Sequence, residues 1–167
     1  MLLFQDPMKP FGLILALASL ALACRDRSTS WTVHPNHAGP VRFGTPAAAG
    51  SGVANPGCGY WRPADAPPGV SFMIENGSIV RADVDSAGVT TAEAIGVGSA
   101  ESAIRAAYGQ HLTIQLHKYQ WEAGWKYFLY LPADDSLNAI VFETDGKAVR
   151  TFRAGRRPQV EYVERCG

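Results

Sequence analysis

The stretch FMIENGSIVRADV, Phe72 to Val84, has an echo in VFETDGKAVRTFR, Val141 to Arg153. Each runs apolar residues into Glu, then a Gly-containing turn, then Val-Arg inside a second apolar run. Runs of this kind around Asn-Gly or Asp-Gly predict β-hairpins. The same hairpin used twice restricts the chain to folds built on an antiparallel sheet.

The segments upstream of the two hairpins also align. FGTPAAAG (Phe43–Gly50) and VGSAESAI (Val97–Ile104) both read apolar, Gly, hydroxyl residue, small residue, then Ala. In SAESAIRAAYG, Ser99 is placed as an N-cap, Ala100, Ala103, Ile104, Ala107 and Tyr108 recur at helical spacing, and Gly109 is placed to end the helix. Thr45 and Pro46 suit a helix start, but AAAGSGVANPG holds too much Gly and Pro for more than a remnant. Strands are expected in CGYW, LTIQLHKY, KYFLYLP, NAIVFE, AVRTFR and, after Pro158, VEYVERC. The predicted fold is α+β. Two degenerate tandem helix-plus-hairpin repeats, about residues 39–88 and 95–155, form an antiparallel sheet with helices on one face.

The N-terminus points to export. FGLILALASLALA, Phe11 to Ala23, is too short to span a bilayer as a helix and suits the apolar region of a signal peptide over residues 1–23, with Met8 as an alternative start. ALAC, ending at Cys24, suits either an ordinary signal peptidase or a lipobox with Ala21 where Leu is usual. Lipidation of Cys24 leaves Cys58 and Cys166 to pair; in a plain secreted protein Cys24 is free or cleaved away. Residues 24–54 read as a flexible, lipid-anchored tether with the helix remnant, and 55–167 as the globular domain.

At the helix, GSAESAIRAAYG carries Gly98, five residues, Ile104, four residues and Gly109. It resembles the repeat of the β-lactamase inhibitory protein and of the small lipoprotein of outer-membrane assembly machinery, which implies a helical segment laid on an antiparallel sheet. That family often has Pro after the last Gly, and here Gln110 and His111 follow. From Gly39 onward, GPVRFGT, LHKY, VFETDG, FRAG and the ending PQVEYVERC resemble an uncharacterised family of bacterial envelope proteins. That resemblance implies fold and envelope location, without an activity; some of its members carry a lectin label.

Composition supplies no partner, because fifteen Lys and Arg balance fifteen Asp and Glu, leaving no field for nucleic acid or anionic membrane. None of the familiar nucleophile-elbow, phosphate-loop, dinucleotide or zinc-helix motifs occurs. His34 and His37 sit beside Pro35 in the tether, and Asn76 in NGS serves the turn. No cofactor, metal or catalytic residue is expected.

Two clusters remain as a candidate binding surface. One is aromatic, drawn from Tyr119, Trp121, Trp125, Tyr127 and Tyr130, with Lys118 beside it. Strand alternation sets Lys126, Phe128 and Tyr130 on one face and Tyr127, Leu129 and Leu131 on the other. The second is basic: Arg150, Arg153, Arg156 and Arg157. The expectation is a non-catalytic envelope binding module whose partner is a protein or a glycan, tied to the membrane only through its lipid. A rival, a hydrolase of envelope material, would need a cleft joining Asp134 and Asp135 to His117.

Overall fold

The structure is a computed structural model that describes residues 31–166. The expected signal peptide and the expected lipidation site, Cys24, lie outside the described residues. The chain is mostly β, with two sheets and, among the described residues, one short α-helix.

The main sheet has seven antiparallel strands: β4 (Cys58–Trp61), β5 (Val70–Glu75), β6 (Ser78–Val84), β8 (Leu112–Leu116), β9 (Lys126–Tyr130), β10 (Asn138–Thr144) and β11 (Val149–Arg156). Their order is β4-β5-β6-β11-β10-β9-β8. The Asn76-Gly77 turn between β5 and β6 has φ of 48° and 76°, the two positive values of the turn that matches strand twist. Gly155 faces Arg81 across β11 and β6, and a Cβ there would meet the Val80 carbonyl oxygen at 2.4 Å, so only glycine allows this approach.

The two hairpins share one register. Met73 faces Arg81 and Glu143 faces Thr151, and in each ladder the next residue inward on the second strand, Val80 or Arg150, is bulged out. The Val-Arg echo in the sequence is therefore one residue out of step with the ladders: Arg81 corresponds to Thr151. The upstream segments dock alike. Gly44 N–H donates to Ile79 O, Ile79 N–H to Thr45 O and Ala47 N–H to Gly77 O; Gly98, Val149 and Glu101 N–H donate in the same way to Val149, Ser99 and Lys147. Where β6 meets β11, Asp83 faces Arg153.

One face of the sheet carries the larger core, with Phe72, Phe128, Ile140, Phe142 and Phe152 all buried. Over its second half lies α1 (Glu101–Tyr108), whose Ile104 and Tyr108 point inward. The helix begins one residue later than its sequence suggests, because the Ser99 hydroxyl takes the Gly96 amide instead of capping. Glu101 anchors the first turn, 2.6 Å from Thr144 Oγ1 and 3.3 Å from Lys126 Nζ.

Over the first half no helix lies among the described residues. Thr45 bonds back to the Arg42 carbonyl, and a second sheet fills the place: β1 (Thr32–His34), β2 (His37–Ala38), β3 (Val41–Arg42) and β7 (Thr90–Thr91), in the order β3-β2-β1-β7. The expected tether is thus folded from Trp31 on. Val33 and Ala38 are buried, and Trp31 packs on Phe72 with ring centres 6.2 Å apart. Burying this apolar area outweighs leaving the segment free.

The second face of the sheet is covered by the C-terminal segment, residues 158–166. It was expected as a strand, yet it forms a single 3₁₀ turn, Gln159–Glu161, and an irregular strap. Side chains rather than a neighbouring strand take up its carbonyls: Arg81 Nη1 donates to Gln159 O and Tyr162 O, and Arg153 Nε to Val160 O. Val160 seals a small core with Tyr127, Leu129, Ala139 and Val141. The Cys58–Cys166 disulfide ties the end of the strap to β4 at the sheet's far edge.

Candidate functional site

Beneath the strap runs a stripe of buried charge. Arg81, 1% exposed, donates from Nε and Nη2 to Asp83 at 2.9 and 3.0 Å and from Nη2 to Tyr60 Oη at 2.8 Å. Arg153 follows across the β6–β11 pair, with Nη1 3.6 Å from Glu143 Oε2. Beyond it, Glu143 Oε1 lies 3.0 Å from His117 Nε2. The amides of Tyr119 and Gln120 both point at His117 Nδ1, which fixes that nitrogen as acceptor and puts the ring proton on the side of Glu143.

Burial sets the ionisation along this stripe. Desolvation lowers the Arg153 pKa, with Arg81 adding to it. Burial raises the Tyr127 pKa, and among the described residues its hydroxyl has no hydrogen-bond partner. Tyr60 is pushed up to about 12, first by burial and then by the Asp83 carboxylate. Since an unfolded phenol titrates near 10, the stability Tyr60 contributes is intact below about pH 10 and is lost as pH rises through about 12. Tyr108, held protonated by burial against Thr91 and Glu93, acts in the same direction. The urea midpoint is therefore expected to fall between pH 9 and 11.5, and to fall less in Tyr60→Phe; an equal fall in both would contradict the assignment.

The exposed chemistry lies at one end of the stripe, where β8 runs into the loop 117–125. Leu116 is 68% exposed, Tyr119 58% and Trp121 53%. Lys118 lies over the Tyr119 ring, 5.0 Å from its centre, and both side chains reach Glu164 of the strap. A 3₁₀ turn, Trp121–Ala123, closed by left-handed Gly124, holds Trp121 outward. Beside this rim opens a cavity of about 130 Å³ walled by Leu116, Leu129, Val141 and Val163, with Lys118 and Arg153 as its cations.

Of the expected surface, Trp121 and Lys118 both lie in the open, three residues apart on one loop. Trp125 is half-buried, edge-on to His117 at 5.6 Å. Tyr130 turns to the helix side and packs against Tyr108 with ring centres 4.3 Å apart and planes tilted by 36°. The arginines do not form a patch, because strand alternation separates them. Arg153 is buried on the strap side, Arg156 lies against Gly44, Arg157 pairs with Glu161 at 2.5 Å, and Arg150 pairs with Asp145. His117 and the aspartates lie in different surroundings: His117 stacks on Tyr127, while Asp134 and Asp135 border His34, Asn36 and Tyr130. Asp135 caps the Leu137 and Asn138 amides.

No family model matches the chain, and neither a curated protein nor a solved structure is similar to it. The site therefore rests on geometry. Leu116 and Glu164 were missed as members of the rim. The first could have been found from its place at the end of a strand; nothing in the sequence ties the second to Tyr119.

Proposed function

We propose that this protein is a non-catalytic binding module of the bacterial cell envelope, exported and held to the membrane by lipid on Cys24. It engages a partner protein through the rim formed by Leu116, Tyr119 and Trp121. The observation that carries the reading is that Leu116, Tyr119 and Trp121, three large side chains close together in the chain, are each more than half exposed, beside a cavity that mixes apolar walls with the charges of Lys118, Arg153 and Glu161. Interfaces concentrate their energy in aromatic anchors and in the pockets beside them. Glu164 pins the rim to the disulfide-held strap, so little ordering remains to oppose binding.

The shared ladder register and the three matched docking hydrogen bonds support a duplicated unit. On that reading the two halves meet about a pseudo-twofold axis between Asp83 and Arg153, and the N-terminal sheet replaces the first helix. Glycan binding is the second reading, favoured by the exposed Trp121 ring, a face on which sugars stack.

The test is capture from a cross-linked envelope extract by the immobilised mature protein, with Trp121→Ala and Tyr119→Ala alongside. A saturable protein partner, weakened tenfold or more by Trp121→Ala, is expected, since such an anchor is worth about 2 kcal/mol or more. Retention of glycan alone would move the reading to a lectin, and retention that ignores both variants would overturn the rim.

A further inference from the structure

The strand β8 ends the seven-stranded sheet, and among the described residues nothing pairs with its outer side. Its ladder with β9 is closed at one end by His117 N–H donating to Trp125 O and at the other by Leu131 N–H donating to His111 O. Antiparallel alternation then turns the Thr113 and Gln115 amides toward β9, and those of Leu112, Ile114 and Leu116 outward. The outward residues are the apolar ones, and Ile114 and Leu116 are 39% and 68% exposed. No charged residue interrupts LTIQL. Soluble proteins usually guard such an edge with Lys, Pro or a bulge.

The sequence of this strand reads the same by type in both directions: Leu, polar, Ile, polar, Leu. Placed antiparallel to a copy of itself about Ile114, it sets Leu112 against Leu116, Thr113 against Gln115, and Ile114 against Ile114. That register uses the three outward amides of each copy and their carbonyls. Every apolar side chain then meets an apolar one, and no like charges oppose.

We propose that the protein self-associates through β8, two copies joining edge to edge in one continuous sheet about a twofold axis at Ile114. The interface is isologous and closes on itself, so it stops at the dimer. It is also small: one short strand pair and the side chains around it lie at the low end for a specific contact, so the dimer is weak and reversible. Tyr119 and Trp121 of the two copies lie toward opposite ends of the joined strands, so the dimer leaves two such surfaces open, with Leu116 at the border between rim and dimer interface. The proposal does not depend on what those rims bind.

The experiment is sedimentation equilibrium of the mature protein from about 10 µM to 1 mM, for wild type, Ile114→Lys, Ile114→Glu and an equimolar mixture of the two variants. On the axis residue 114 faces its own copy, so either variant alone opposes like charges and the mixture pairs opposite ones. The expected result is a mass rising to twice the protomer for wild type, protomer mass for each variant, and recovery of the dimer in the mixture. Circular dichroism and melting of the variants check that the fold is intact, as expected for a partly exposed edge position. Wild type that stays monomeric at 1 mM, a dimer that persists in Ile114→Lys, or a mixture that fails to recover would each overturn the proposal.

Discussion

Removing the disulfide, as Cys58→Ala/Cys166→Ala, is expected to lower stability by about 5 kcal/mol. The bridge spans 108 residues, and the chain entropy that such a loop denies the unfolded state amounts to nearly that much. At about 2–4 °C per kcal/mol for a chain of this size, the melting midpoint falls by roughly 10–20 °C. The bridge also holds the strap that covers the second face of the sheet, so the amides of β6 and β11 beneath it are expected to exchange faster than those under α1. Thermal unfolding with and without reductant, followed by amide exchange, reads both effects. A midpoint shift under about 3 °C would mean that the strap is held by its hydrogen bonds alone.

Arg81→Met is expected to cost about 3–5 kcal/mol, the price of leaving one partner of a buried ion pair behind. Asp83, 8% exposed, would then be a carboxylate with only Tyr60 bonded to it, and the strap would lose two of its carbonyl anchors. Because the deficit is chiefly the stranded charge, Arg81→Met/Asp83→Leu is expected to recover part of it. Urea denaturation of the two variants distinguishes the cases; a double variant less stable than Arg81→Met would show that the charge was not the source. Arg81 and the disulfide secure the same segment, so their effects are not expected to add.

The parts of the fold that local patterning controls were legible in the sequence. The Asn76-Gly77 turn and the alternation of β9 could be read directly: β9 places Phe128 and Tyr130 against the main core and Tyr127 and Leu129 in the small core under the strap, and Leu131, just past its end, packs there too. The pairing of Cys58 with Cys166 followed from which thiols remained. What could not be read depends on long-range partners. Val33 and Ala38 lie in strands of two or three residues, too short to show a period, and are buried only because a place on the sheet is vacant above Phe72. VEYVERC alternates like a strand, but its Tyr162 and Val160 carbonyls are taken by Arg81 and Arg153, 81 and 7 residues away.

The candidate site was legible in half. Trp121 and Lys118 lie three residues apart on one exposed loop, whereas grouping Arg153 with Arg156 overlooked the strand both occupy, and Arg157 lies just past its end. Phe152 and Ala154 face the main core, so Arg153 between them must face the other way, and there it became a buried member of the charged stripe.

The claim that the Trp121 rim is the binding surface is tested most directly by photo-crosslinking in the native envelope. A photoreactive residue is placed at position 121, and in a parallel strain at Lys147, an exposed position in the turn between β10 and β11. Position 121 is expected to yield a discrete protein adduct that Lys147 does not. The same adducts from both positions, or none from 121, would contradict a binding surface at this rim.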